Sequence, residues 1–305
     1  MRKNFPAPFP FLAPCVIMVL FLTTGKDLAA PAAKGWMKTM KDQKFGPLPV
    51  LLLTLAGGIV GFFLRLRMLA VGYDAQGVQI PGSWPFVALW ILSGVVVLGL
   101  VLICLGMGNR AGLEENFKAA SAPGVCMMLS AAALFVCALV QLLDKPDLFT
   151  TLVSILGLGG ASALAYSGYL RLSGKASGPA GMLVCLYLAA LLICRFRGWS
   201  ADPLLGDYCF ELLAVVASMV AAYQLAGFPL GKGRRRASIF CSMAAVFFSC
   251  ISLADSGWTN RLFFAAMILW QLTGCCSLAK PAPRRRKLGG GFEEAQETEN
   301  GEDAT

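Results

Sequence analysis

The feature that most constrains this chain is a series of long apolar segments separated by short polar breaks. A membrane-spanning helix needs about 20 mostly apolar residues, and eight segments meet this condition. The breaks are rich in Gly, Pro, Asp and basic residues, which favour loops. The predicted spans cover approximately residues 47–66, 85–106, 122–143, 148–170, 178–194, 208–229, 237–254 and 262–279. The sequence therefore predicts an all-α membrane protein, a bundle of about eight transmembrane helices.

The charge content agrees with this fold class. Charged residues make up 14% of the 305 residues, whereas a soluble domain is about 25% charged. The net charge of +9 would suggest nucleic acid as the partner of a soluble protein. Here the basic residues lie between apolar segments, where they act as topology signals. We therefore expect the lipid bilayer as the partner and no nucleic acid.

Lysine and arginine are distributed unequally between the two sides of a membrane that is crossed eight times. From residue 26 onward, the side that holds both chain ends has 18 of these residues and the opposite side has six. Because basic residues are enriched in cytoplasmic loops, the sequence predicts that the N- and C-termini are cytoplasmic.

The two ends of the chain differ from the central transmembrane domain, residues 45–280. In the leader, residues 1–44, early prolines leave too short an apolar run for a span. An unstructured leader, a weak extra hydrophobic anchor and a cleaved signal peptide all stay open. Residues 281–305 form a basic and then acidic tail that is expected to be disordered. The basic clusters from Arg234 to Arg236 and from Arg284 to Lys287 are predicted to contact anionic headgroups.

The residue types also exclude several kinds of chemistry. The chain has no histidine, the usual general base and a common metal ligand. Its 11 cysteines include no CxxC pair, although a disulfide between Cys194 and Cys209, which flank one loop, stays open. No nucleotide-binding motif is present. We expect a protein that is not an enzyme and has no catalytic residue, cofactor or metal site.

Charged residues collect where predicted helices end at the outer face. Glu211 lies roughly 6 Å deeper than Asp207, at ~1.5 Å per residue, so it needs a cationic partner. The sequence predicts an ion-paired cluster that joins helix ends, with two alternatives: side chains that each extend to water, or a solute entrance. The predicted members are Arg65, Arg67, Arg195, Arg197, Asp207, Glu211 and Asp255.

A second set of residues lies near the middle of the membrane. Gly159 and Gly160 fall in the centre of the fourth span, and Gln271 and Thr273 lie at similar depth in the eighth. Glycines in such positions permit close helix packing. The alternative is an interrupted helix of the kind that binds substrate in transporters.

A weak internal similarity relates the two halves of the chain. An Arg-x-Arg pattern ends both the first and the fifth span, at residues 65–67 and 195–197. This pattern fits two parallel repeats of four spans each.

Three segments of the chain together show a family resemblance. They are "GPLPVLLL", "RLRMLAVGYDAQGVQIPG" and "RFRGWSADPLLGDYCFELLA". Over residues 40–280 the chain resembles uncharacterised multi-pass inner-membrane proteins of anaerobic Gram-positive bacteria. The resemblance implies a bacterial plasma-membrane location and no particular activity.

Two functions remain open on the sequence. The first is a permease-like protein; few ionisable residues lie at mid-membrane, which argues against ion coupling, so its solute would be small and neutral or dipolar. The alternative is a non-transporting scaffold or accessory subunit. A polar cavity around the midplane residues would favour the first function, and its absence would favour the second.

The charge asymmetry generates a topology prediction. Cysteine-accessibility labelling of intact cells should find positions near Arg110 and Arg235 protected and positions near Asp74 and Ser200 reactive. The reverse pattern of reactivity would contradict the predicted orientation.

Overall fold

The computed structural model describes residues 48–73, 80, 83–107, 121–144, 147–173, 181–199, 208–228, 233–255 and 257–278. All eight predicted segments form helices. In chain order these are α1 Leu48–Val71, α2 Trp84–Gly106, α3 Ser121–Leu143, α4 Leu148–Leu172, α5 Gly181–Trp199, α6 Cys209–Ala226, α7 Arg235–Ser252 and α8 Trp258–Ser277. The prediction of an all-α bundle is confirmed.

Seven of the eight helices, α1 to α7, are long and apolar enough to cross a membrane. In α8, Asn260, Arg261 and Gln271 lower the hydropathy of a helix that is otherwise long enough. The chain is therefore a multi-pass membrane protein. An even number of crossings would place the start of α1 and the end of α8 on the same side.

Helix α7 is the centre of the bundle. It packs against α1, α2, α6 and α8. Of the residues in its span 89% are buried, against 22% to 56% in the other six candidate spans. Helices α3 to α8 contact one another in chain order, and α8 closes the ring by packing on α3. The α1–α2 hairpin packs on α7 from outside this ring. The suggested repeat of four plus four helices stays a prediction. Helices of the first half, α1 to α4, pack on helices of the second half, α5 to α8, so the two halves do not form separate units.

A tight turn joins α7 to α8 and places polar residues at one end of the bundle. Gly257 precedes α8 with a φ of 111°, a conformation that side chains with a Cβ rarely adopt. Asp255, three residues after the end of α7, lies close to the first turn of α8, where Arg261 Nε donates to its carbonyl oxygen at 3.3 Å. As a result, the site described below includes residues from both sides of this turn.

Close approach of α1 to its neighbours depends on glycine. A Cβ added at Gly57 would lie 2.7 Å from Val96 Cγ2 of α2, and one at Gly61 would lie 2.8 Å from Ile251 Cγ1 of α7. Val96 and Ile251 are β-branched and have little rotamer freedom. In lipid, where burial of apolar surface does not drive helix association, such close contacts hold helices together.

We predict that Gly57→Val and Gly61→Val each destabilise the bundle by about 2 kcal/mol, because overpacking forces the helices apart. The matched control is Gly94→Val, since Gly94 of α2 has no atom within 4 Å of an added Cβ. Unfolding in a denaturing detergent titration would measure the difference. Equal effects at all three glycines would contradict the role of close packing.

Candidate functional site

Arg195 of α5 reaches two other helices at one end of the bundle. Its guanidinium is ion-paired with Glu211 of α6 and donates from Nη2 to Asn260 Oδ1 of α8 at 2.8 Å. Asn260 Nδ2 in turn donates to Glu211 Oε1 at 3.1 Å. The guanidinium also lies over the rings of Phe263 and Phe264, with centroid distances of 5.1 and 5.7 Å. One arginine thus links α5, α6 and α8.

A second ion pair joins α1 to the turn after α7. Arg65 Nη2 and Nε lie 2.8 and 2.9 Å from Asp255 Oδ1. Arg65 is only 2% exposed, and its guanidinium carbon lies 6.0 Å from the ring centroid of Phe210 in α6. Together, Arg65, Asp255, Arg195, Glu211 and Asn260 form what we call the acidic-end cluster.

The structure places the seven residues of the predicted outer-face cluster in three different settings. It brings Arg65, Asp255, Arg195 and Glu211 together in the two ion pairs. Arg67 and Arg197 are exposed, and Arg197 lies over Phe149 of α4 at 5.8 Å. Asp207 lies outside the described residues. Asn260 was not predicted from the sequence because it precedes the predicted eighth span, residues 262–279, whereas α8 begins at Trp258.

A cavity of about 260 Å³ opens beside the acidic-end cluster. Its wall combines one arginine, two carboxylates, an amide and two tyrosines with a single leucine. The lining residues are Arg65, Leu69, Tyr73, Tyr208, Glu211, Asp255 and Asn260. Because Glu211 and the Arg65–Asp255 pair border it, the cavity offers polar groups of both signs to a small molecule.

The opposite end of the bundle, which we call the basic end, has arginines that bind helix termini. Arg235 Nε donates to the Leu278 carbonyl oxygen at 2.8 Å, and Arg236 Nε donates to the Met107 carbonyl oxygen. Arg171 Nη1 donates to Ser277 Oγ at 2.7 Å. Cations at helix C-termini donate hydrogen bonds to the last carbonyl groups and interact favourably with the negative end of the helix dipole.

The burial of arginines at the basic end bears on the predicted contacts of residues 234–236 with anionic headgroups. Arg235 is buried and directed at protein, so it does not face headgroups, whereas Arg234 is exposed. For Arg234 the contact stays a prediction. Arg284 and Lys287 lie outside the described residues.

The four midplane residues do not form one site. Helix α4 runs without interruption through Gly159 and Gly160, so the alternative of a broken helix is wrong. An added Cβ would lie 3.6 Å from Leu183 at Gly159 and 3.3 Å from Tyr187 at Gly160, so both glycines face α5. On α8, Thr273 Oγ1 donates to the Trp270 carbonyl oxygen at 2.6 Å. Gln271 is fully buried, and its amide has no hydrogen-bond partner among the described residues.

The disulfide considered from the sequence does not form. Cys194 is a free thiol, and its Sγ lies 3.8 Å from Thr150 Oγ1 of α4. The loop between α5 and α6 is therefore not closed by a Cys194–Cys209 bond.

No protein-family model matches this chain, and no match was found among curated proteins or solved structures.

The ion pair between Arg195 and Glu211 generates a charge-exchange prediction. Glu211→Arg places two cations side by side in a buried position, and breaking a buried pair costs about 3–5 kcal/mol. We expect a large loss of folded protein in membranes, measured by fluorescence-detected size exclusion. Adding Arg195→Glu should restore part of the yield.

The control for this experiment is the neighbouring arginine. Arg197→Glu combined with Glu211→Arg should restore nothing, because Arg197 lies over Phe149 on another side of α5. Rescue by both arginines, or a harmless Glu211→Arg, would show that the cluster does not hold the helix ends together.

Proposed function

We propose that the protein is a permease-like membrane protein that admits a small neutral or dipolar solute at its acidic end. The observation that supports this function is the polar cavity of about 260 Å³ at one end of the helix bundle. Polar and charged groups within a membrane domain are costly and usually serve function. A protein that only joins other membrane subunits has no need of such a cavity.

The chemistry of the cavity wall supports the proposed solute class. The Arg65 cation is offset by Asp255, and the Glu211 carboxylate is offset by Arg195. A solute therefore does not have to supply a charge to neutralise the site. Tyr73, Tyr208 and Asn260 add uncharged polar side chains, which suit a solute with hydrogen-bonding groups.

The distribution of charge supports the proposed orientation. The basic end, where Arg171, Arg235 and Arg236 lie, is the side predicted to have most lysine and arginine residues. We place this end in the cytoplasm by the positive-inside rule, in a bacterial plasma membrane. The cavity then opens toward the outer face.

One observation favours the alternative of a non-transporting scaffold. The cavity lies at the acidic end and has none of the midplane residues Gly159, Gly160, Gln271 and Thr273 in its wall. If the cavity led nowhere, the acidic-end cluster would serve only to hold helix ends together.

We predict that proteoliposomes containing the protein swell faster than empty liposomes in glycerol, urea or glycine, as measured by stopped-flow light scattering. Leu69→Trp should slow this swelling at least about fivefold, because an indole fills much of a cavity of this size. Leu66→Trp is the matched control, since Leu66 is as exposed as Leu69 (39% and 37%) and does not line the cavity.

Either of two results would contradict the proposal. Swelling of wild-type proteoliposomes no faster than that of empty liposomes would favour the scaffold. Equal slowing by Leu66→Trp and Leu69→Trp would show that the cavity is not the point of entry.

A further inference from the structure

Six buried polar side chains of α6, α7 and α8 make no hydrogen bond among the described residues. Each is at most 1% exposed. They are Ser218, Ser238, Ser242, Ser249, Ser252 and Gln271. A buried polar group without a partner costs about 1–3 kcal/mol, and a lipid-embedded bundle has no bulk water to reduce this cost. These groups therefore need a partner.

Four buried hydroxyl groups on α1, α2 and α4 are hydrogen-bonded to the backbone of their own helix. Thr54, Ser93, Ser154 and Ser167 each donate to the carbonyl oxygen four residues earlier, at 2.8 to 3.0 Å. The serines of α7 make no such bond. Their hydroxyls therefore need a partner outside their own helix backbone.

The four serines of α7 lie on one face. At about 100° per residue, residues 238, 242, 249 and 252 fall within a sector of about 80°. The opposite face of α7 contacts α1, where Cys250 approaches Gly58 and Ile251 approaches Gly61. The serine face is therefore directed away from α1, toward the helices on the other side of α7.

Ser218 lies on the face of α6 that meets α8. It is seven residues from both Glu211 and Leu225, so all three share one side of the helix. Glu211 is hydrogen-bonded to Asn260 of α8, and Leu225 is the nearest neighbour of Gly274 of α8. Ser218 lies between these two contacts.

Gln271 lies on the corresponding face of α8. Asn260 and Gly274, which contact α6, are both within about 60° of it around the helix. Leu278, seven residues after Gln271 and therefore on nearly the same side of α8, accepts a hydrogen bond from Arg235 Nε of α7. The amide is thus directed at the line where α6, α7 and α8 meet, which we call the polar seam. Helices α6 and α8 pack on each other less closely than either packs on α7.

The polar seam begins at the cavity. Glu211 and Asn260 line the cavity and lie on the same faces of α6 and α8 as Ser218 and Gln271. Between the acidic-end cluster and the basic end, the helices contain no charged residue. The seam therefore offers hydroxyl and amide groups but no counter-charge to an ion.

From this geometry we propose that the polar seam is a hydrated binding path for small uncharged molecules with hydroxyl or amide groups. The inference rests on the proposed function and narrows its solute class to uncharged molecules. A zwitterion would lose the hydration of its two charges in the seam without meeting charged side chains that replace it. The serine and glutamine side chains replace the hydrogen bonds that an uncharged solute gives up when it leaves water.

The first test measures access to the seam and does not depend on transport. Ser218→Cys and Ser242→Cys, each in the full chain in proteoliposomes, are treated with methyl methanethiosulfonate, a small uncharged thiol reagent. Reaction requires the thiolate, and therefore water. We expect both cysteines to react at least about tenfold faster than native Cys250, which faces Gly58 of α1. A cationic trimethylammonium analogue of the reagent should react much more slowly with both.

Site-resolved mass spectrometry reads all thiols of one sample, so Cys250 is an internal reference in each variant. Rates at Ser218→Cys and Ser242→Cys no higher than at Cys250 would overturn the seam. Equal rates with the uncharged and cationic reagents would overturn its selectivity.

The second test measures permeation. Gln271→Leu should slow glycerol and urea swelling at least about fivefold, since leucine has similar volume but no hydrogen-bonding group. Ser93→Ala is the control, because Ser93 is equally buried but bonds its own helix. Swelling in glycine should be slower than in glycerol for the wild type.

These outcomes separate the seam from the proposed function. Reactive seam cysteines without swelling of wild-type proteoliposomes would overturn permeation and leave the hydrated seam standing. Swelling that Gln271→Leu does not change, with unreactive seam cysteines, would overturn the seam and leave permeation by another route.

Discussion

The ion pair between Arg195 and Glu211 is the interaction on which the arrangement of the acidic end depends. Outside the close glycine contacts, apolar packing gives helices in lipid little preference for one rotation over another, because lipid tails are as apolar as the side chains they replace. A buried carboxylate, in contrast, tolerates only an arrangement that supplies a cation and hydrogen bonds. Glu211 receives both from Arg195 and Asn260. The rotation of α5, α6 and α8 is therefore set by polar geometry at this end.

Helix α7 shows how burial inside protein changes what a membrane helix can contain. It is the least hydrophobic of the seven candidate spans and also the most buried. A helix enclosed by α1, α2, α6 and α8 does not contact lipid along most of its surface. Its serines are therefore compatible with the membrane, provided that something inside the bundle bonds to them. The low hydropathy of α7, its central position and the inferred seam all go together with its burial among the other helices.

The helices were predictable from sequence because bilayer thickness fixes the length of an apolar run, but the side-chain partners were not. Residues 195 and 197 are two apart on α5, so they point in nearly opposite directions, and only the rotation of the helix decides which one meets Glu211. That rotation depends on contacts between distant segments. The fifth span is confirmed, but α5 continues to Trp199, beyond the approximate predicted end at residue 194, since a paired Arg195 need not end a helix. The depth of Gln271 follows from the sequence, but its position beside α6 and α7, without a hydrogen-bond partner among the described residues, follows only from the packing of three helices.

The cavity and the seam differ in what a bound molecule would gain. In the cavity, the charges already bond one another, so a solute can enter without breaking an ion pair and gains little by replacing one. In the seam, the hydroxyl and amide groups have no partner among the described residues. Each hydrogen bond with a bound molecule therefore removes the free-energy cost of a buried polar group without a partner. If the protein is the permease proposed above, its selectivity belongs to the seam rather than to the charged cavity. A path with weak binding at its entrance and uncharged hydrogen-bonding groups along its length favours passage of neutral polar molecules over retention of ions.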